Sequence, residues 1–104
     1  MTTASTPAPA LSSLPELMHA IHGLYPGCSV SLELRESGYA AVSVVGLPND
    51  LFPAEPLNSG DYPNCNYGVG GYVNVCRYAD ADFVAALRTA LELVRAREVE
   101  RVAS

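Results

Sequence analysis

Residues 62–76 read YPNCNYGVGGYVNVC, and the fold turns on how this stretch is divided. It holds two of the three cysteines and three of the eight glycines, so much of the chain's unusual chemistry is concentrated here. Val69, Val73 and Val75 recur at a period of two, which is the signature of a half-buried strand. We read one strand from Tyr67 to Tyr78, with those valines facing a core. Gly68, Gly70, Tyr72, Asn74 and Cys76 would then face outward. Gly68-Val-Gly70-Gly71 is a poor phosphate cradle. Val73 stands where G-x-G-x-x-G needs its last glycine, no Lys follows, and no helix begins there. Glycine inside a strand instead marks a bulge or the close approach of another backbone.

Upstream, Cys28–Arg35 alternates strictly. Cys28, Val30, Leu32 and Leu34 fall on one side, and Ser29, Ser31, Glu33 and Arg35 on the other. Glu36-Ser37-Gly38 suits a three-residue hairpin loop with Gly38 left-handed. That loop pairs Arg35 with Tyr39, Leu34 with Ala40, Leu32 with Val42 and Val30 with Val44. A two-residue loop would bring Ser43 onto the core face, because a slip of one residue flips every side chain. The second strand therefore spans 39–46. Residues 47–66 carry Pro48, Pro53, Pro56 and Pro63 among Asn, Asp and Gly, and so read as one long loop. Leu51, Phe52 and Leu57 would pin it to the body.

Helices flank the strands. Ser13-Leu-Pro-Glu16 fits a capping box, with Pro15 in the first turn where a missing amide hydrogen costs little. Leu14, Leu17, Ile21 and Leu24 follow at helical spacing to residue 24. A second helix over 81–101, capped by Asp80 or Asp82, carries Phe83, Leu87, Ala90, Leu91 and Val94 on one stripe. Arg95, Arg97 and Arg101 lie toward its C-terminus, where the macrodipole favours cations. The expected architecture is α+β in two layers: a three-stranded antiparallel meander with both helices on one face, in the order α-β-β-β-α. Residues 1–12 read as a Thr/Ala/Pro/Ser tail ahead of a single domain over 13–104.

The charge balance excludes several functions. Eleven acids against six arginines and no lysine give a net charge of −5 over 104 residues. No basic patch attracts phosphate backbones, so neither nucleic acid nor an anionic membrane is an expected partner. The first residues, MTTASTPAPALSS, contain neither a basic residue nor an apolar run, so a secretory signal is not expected. With three cysteines and no export signal, reduced thiols in the cytoplasm are the expectation.

His19, His22, Cys28 and Cys65 are the residues a metal would use. In a meander they gather at one end of the sheet, and two His with two Cys form a legitimate zinc set. Their spacing fits no standard pattern, however, and there is no C-x-x-C. At about 100° per residue, His19 falls opposite Leu17 and Ile21. No metal or other cofactor is assigned on that basis. A Cys65–His22 nucleophile pair lacks any nucleophile-elbow sequence or oxyanion turn. A Cys65–Cys76 disulfide is not expected either, since a single extended strand between them spans roughly 30 Å at ~3.3 Å per residue.

The outer sheet face stands out more. Apart from Glu33 and Arg35 it is uncharged and built of small residues, with tyrosines above them, a combination favoured in interfaces. We therefore expect a small acidic, non-enzymatic protein-binding inhibitor or regulator. Its profile is similar in type, though not in motif, to phage-encoded inhibitors of bacterial defence systems and to immunity proteins. Tyr39, Tyr72 and Asn74 on the sheet would make the contacts, with Asp50, Glu55, Asp61 and Tyr62 in the acidic loop. The acids would steer a partner with a basic surface. The alternative is a small-molecule or metal site on Cys28, Cys65, His19 and His22. A third reading is a homodimer pairing through the third strand, expected to be an uncharged edge.

Overall fold

A computed structural model describes residues 13–35, 39–59, 64–77 and 82–103. The fold is α+β, with two helices and a five-stranded antiparallel sheet rather than three strands. In chain order the elements are α1 (Leu14–Leu24), β1 (Ser29–Arg35), β2 (Tyr39–Val45), β3 (Leu57–Ser59), β4 (Asn64–Val69), β5 (Tyr72–Arg77) and α2 (Phe83–Ala103). The strands lie side by side in the order β1-β2-β5-β4-β3.

The correction arises inside the opening stretch. Val69 pairs with Tyr72, and Gly70-Gly71 between them is a two-residue hairpin turn. Gly70 sits at φ +54, the left-handed region that a first central glycine of a type II′ turn requires. The expected single strand is therefore two strands folded back on each other. Leu57–Ser59, read as loop, adds a third strand to β4 by pairing Leu57 with Gly68 and Ser59 with Asn66. The short β3 fits between Pro56 and Pro63, which spoiled the longer pattern, and β4 begins just after Pro63.

The turn also resets the side-chain parity. In β5 the odd-numbered Val73 and Val75 face the helices, but in β4 the even-numbered Asn66 and Gly68 do. Gly68 thus faces inward and Val69 outward, the reverse of the expectation. Gly68 leaves room for Phe52: a Cβ there would lie 2.6 Å from the ring's Cδ1. The hairpin turn is stitched to the segment after β2. Leu47 N–H donates to the Gly71 carbonyl at 3.2 Å, Phe52 N–H to that of Gly70 at 3.0 Å, and Gly70 N–H to that of Pro53 at 3.2 Å.

On the β1–β2 side the register is the one the hydrophobic pattern required, from Arg35 opposite Tyr39 to Ser29 opposite Val45. The loop at 36–38 lies outside the described residues. Helix α1 starts on the complete capping box, with the Glu16 amide donating to Ser13 Oγ and Ser13 N–H to the Glu16 carboxylate, both at 3.2 Å. Helix α2 is capped by Asp82, whose carboxylate accepts from the Ala85 amide at 2.9 Å; Asp80 lies outside the described residues.

Both helices pack on one face. Helix α2 lies over β2 and β5, and α1 packs beside it. Leu17, Ile21, Val42, Val44, Val73, Val75, Leu87, Leu91 and Val94 share one core, with Leu47, Leu51 and Phe52 closing it from the long loop. Past Val94 the apolar stripe of α2 ends, and polar contacts hold its last turns. Arg97 Nε donates to the Leu51 carbonyl at 3.2 Å, Arg101 Nε to Asp50 at 2.9 Å, and Tyr25 hydroxyl to Glu98. Among the described residues no helix is long and apolar enough to cross a membrane.

Candidate functional site

With both helices on one side, the opposite face of the sheet carries no layer among the described residues. Cross-strand register arranges its side chains in rows. One row runs Ser31, Ser43, Asn74, Tyr67 and Asn58 across all five strands. The next runs Glu33, Ala41, Cys76 and Cys65. Beyond the first row, Tyr72 and Val69 pair beside the turn, and Val45 ends β2.

Local bonds tie these rows down. The Asn74 amide donates to Ser43 Oγ at 2.8 Å, and its carbonyl oxygen accepts the Cys76 thiol at 3.1 Å. Tyr67 and Tyr72, diagonal neighbours across the β4–β5 hairpin, meet edge to face with centroids 6.1 Å apart. Tyr67 keeps 36% of its surface exposed. Among the described side chains of this face, Glu33 alone is charged. The result is a floor of small residues, with Ala41 and Cys76 buried in it and an aromatic pair standing at one corner.

Burial, and then the Cys76 thiol beside it, raise the Cys65 thiol above its ordinary range. Burial likewise raises Cys28. At neutral pH both are therefore mostly protonated, and neither is an activated, low-pKa thiol.

The predicted site residues divide. Tyr72 and Asn74 lie together on the outer face. Tyr39 opens β2 opposite Arg35, at the end of the sheet where Cys65 and Cys76 lie. Asp50 and Glu55 are exposed in the 47–56 segment, and Asp50 is bound to Arg101, which pulls its carboxyl below the usual range. Asp61 and Tyr62 lie outside the described residues.

The metal set does not assemble. Cys28 precedes β1 at one end of the sheet, while Cys65, the second residue of β4, lies at the other. His22 Nε2 donates to the Cys28 carbonyl at 3.0 Å, and His19 is exposed. No cluster of three or more potential ligands exists among the described residues. Sequence reasoning put Cys65 at the wrong end because it placed no turn at Gly70-Gly71.

For the same reason Tyr67 and the Cys65–Cys76 juxtaposition were missed. The signal was present, since Val-Gly-Gly-Tyr between two alternating segments is a two-residue hairpin pattern. A separate cleft of about 200 Å3 opens on the helix side, bounded by Phe52, Leu57, Asn66, Leu93 and Arg97. Arg97 there is already held by the Leu51 carbonyl and by Glu100, and its guanidinium lies 6.0 Å over the Phe52 ring. The chain matches no family model, no curated protein and no solved structure.

Proposed function

We propose that this protein is a non-enzymatic regulator or inhibitor that binds another protein through the face of its sheet opposite the helices. The observation that carries the reading is the segregation of both helices to one side. On the other side lies a face charged, among the described side chains, only at Glu33, with Tyr67 and Tyr72 paired upon it. Tyrosines on small neighbours give contact area and hydrogen bonds at low entropy cost. The occupant is a protein with an apolar centre and a basic rim, the complement of a chain with net charge −5.

The test compares partners captured by the parent protein, by Tyr67→Ser/Tyr72→Ser and by the helix-side control Leu34→Ser. Support is a partner bound by parent and control but lost with the tyrosine pair, whose purified complex forms more slowly in high salt. A partner that tolerates the double substitution refutes the assignment.

A second reading, a homodimer, is favoured by a different surface. The residues expected to form the third strand lie in β4 and β5, both inside the sheet, so they offer no edge. Strand β1 does: it is a seven-residue edge, whereas the opposite edge, β3, has three residues and is guarded by shortness. On its helix side Leu32 and Leu34 remain 39% and 63% exposed. Antiparallel pairing about Leu32 would set Val30 against Leu34 of a second copy and cover both leucines. Native mass measurement tests this: a dimer converted to monomer by Leu34→Glu supports it, and a monomeric parent protein refutes it.

A further inference from the structure

We propose that Cys65 and Cys76 form a reversible intramolecular disulfide by exchange with a small-molecule disulfide of the glutathione type. The inference does not depend on the docking surface; it follows from the register of one hairpin. Cys65 and Cys76 are direct cross-strand partners in the β4–β5 pair, two pairs beyond Tyr67–Asn74 toward the open end of the hairpin. Directly opposed residues share a face, and these two pack with Ala41 in a small cluster separate from the main core. Antiparallel partners hold their Cα atoms about 4.5–5.5 Å apart. A disulfide spans roughly 4.4–6.8 Å between Cα atoms, so the register brings the two cysteines within bonding reach. Both are free thiols in the structure.

Access and order of events also follow. Cys76 is 5% exposed, whereas Cys65 is only partly buried, so Cys65 meets the reagent first. Cys65 loses its proton to solvent, and the thiolate attacks one sulfur of the small disulfide, forming a mixed disulfide and releasing a small thiolate that takes up a proton. The Cys76 thiolate then attacks the Cys65 sulfur and displaces the second small thiol. Overall, two protein thiols and one small disulfide give one protein disulfide and two small thiols. The protein is oxidised by two electrons and the small disulfide is reduced by two.

Cys28 takes no part. It lies at the opposite end of the sheet, buried in the main core, with the hairpin partner positions already filled. It therefore serves as an internal control.

The experiment treats the folded full-length protein with oxidised glutathione, quenches in acid, alkylates the surviving thiols and maps peptides by mass. The expected product is a monomer two hydrogens lighter, with one alkylated thiol, at Cys28, and a Cys65–Cys76 crosslink that dithiothreitol reverses. Cys76→Ser stops at a single glutathione adduct on Cys65, and Cys28→Ser crosslinks as the parent does. A lasting glutathione adduct on the parent protein, a covalent dimer, a crosslink involving Cys28, or reaction only in urea would each overturn the proposal. The parent protein alone decides between these outcomes, so the result does not depend on how well either variant folds.

Discussion

Gly68 and Phe52 form the contact on which the revised sheet rests, and a double-mutant cycle measures it. A Cβ on Gly68 would lie 2.6 and 2.7 Å from two ring carbons of Phe52, a ring only 4% exposed and covered by Arg97 on another side. The ring would have to move by most of an ångström within a closed core. Such overpacking costs about 1–3 kcal/mol. Replacing glycine by alanine in a strand returns roughly 0.5–1 kcal/mol of backbone entropy. Gly68→Ala should therefore destabilise by a net ~1–2 kcal/mol. Phe52→Ala removes a buried ring and should cost about 3–5 kcal/mol. In the Phe52→Ala background the added methyl meets open space, so Gly68→Ala becomes neutral or stabilising. The expected coupling is on the order of 2 kcal/mol, well above the ~0.5 kcal/mol scatter of independent sites. Urea melts of the four proteins at equal m-values give the answer. If the alanine variant at 52 is too unstable, Phe52→Leu should give the same sign. Additive costs would mean that Gly68 does not face Phe52, and the inward parity of β4 would be wrong.

Three further outcomes follow from single contacts. Gly71→Ala would put a Cβ 2.4 Å from the Leu47 carbonyl oxygen, a backbone atom fixed by its neighbours, and should destabilise by about 2–3 kcal/mol in the same melts. Ser13→Ala removes half of the α1 capping box and should cost ~1 kcal/mol, while Ser13→Asp, which keeps the cap acceptor, should cost less. Asp50 should titrate below the ordinary aspartate range by carbon-detected NMR because Arg101 hydrogen-bonds its charged form; Arg101→Gln should move the midpoint upward. A depressed carboxyl stabilises above its unfolded value, and the effect is lost as pH falls through the lowered one. Exposure and salt screening keep this contribution small, so the titration rather than a melt is the measurement.

The parts of the fold legible in the sequence were those where two independent signals agreed. Alternation in Cys28–Arg35 and in Tyr39–Val45, with a loop that matched their apolar faces, fixed the register pair by pair. Capping chemistry and helical spacing together fixed the start of α1. The 57–77 region offered conflicting signals. Pro56, Pro63 and the Asn residues argued for loop, yet strands of three and six residues fit between the breakers. Alternation alone could not reveal the turn, because Gly70 and Gly71 have no side chains to break it. A two-residue turn reverses parity. Gly68 therefore exchanged faces with Val69, and two cysteines read as the far ends of one strand became neighbours. Tyr72 and Asn74 were legible because they lie after the turn, where the assumed parity held.

The same contacts separate what charge and shape contribute to the proposed docking. In the sequence Asp50 looked like a steering group. In the structure it is bound to Arg101 and helps anchor the last turns of α2, which have lost their apolar stripe. One acid of the long loop is thus structural, and attraction to a basic partner rests on the net charge rather than on a local cluster there. Net charge acts over roughly a Debye length, about 8–10 Å, and raises the rate of encounter. It does little once partners are in contact, where salt and solvent weaken exposed pairs. Residence must then come from the face itself: the Tyr67–Tyr72 pair and the floor of small side chains that lets a partner approach the sheet closely. Because Asn74 is already tied to Ser43 and Cys76, that floor is held in place before binding, and a partner does not bear the entropy of ordering it.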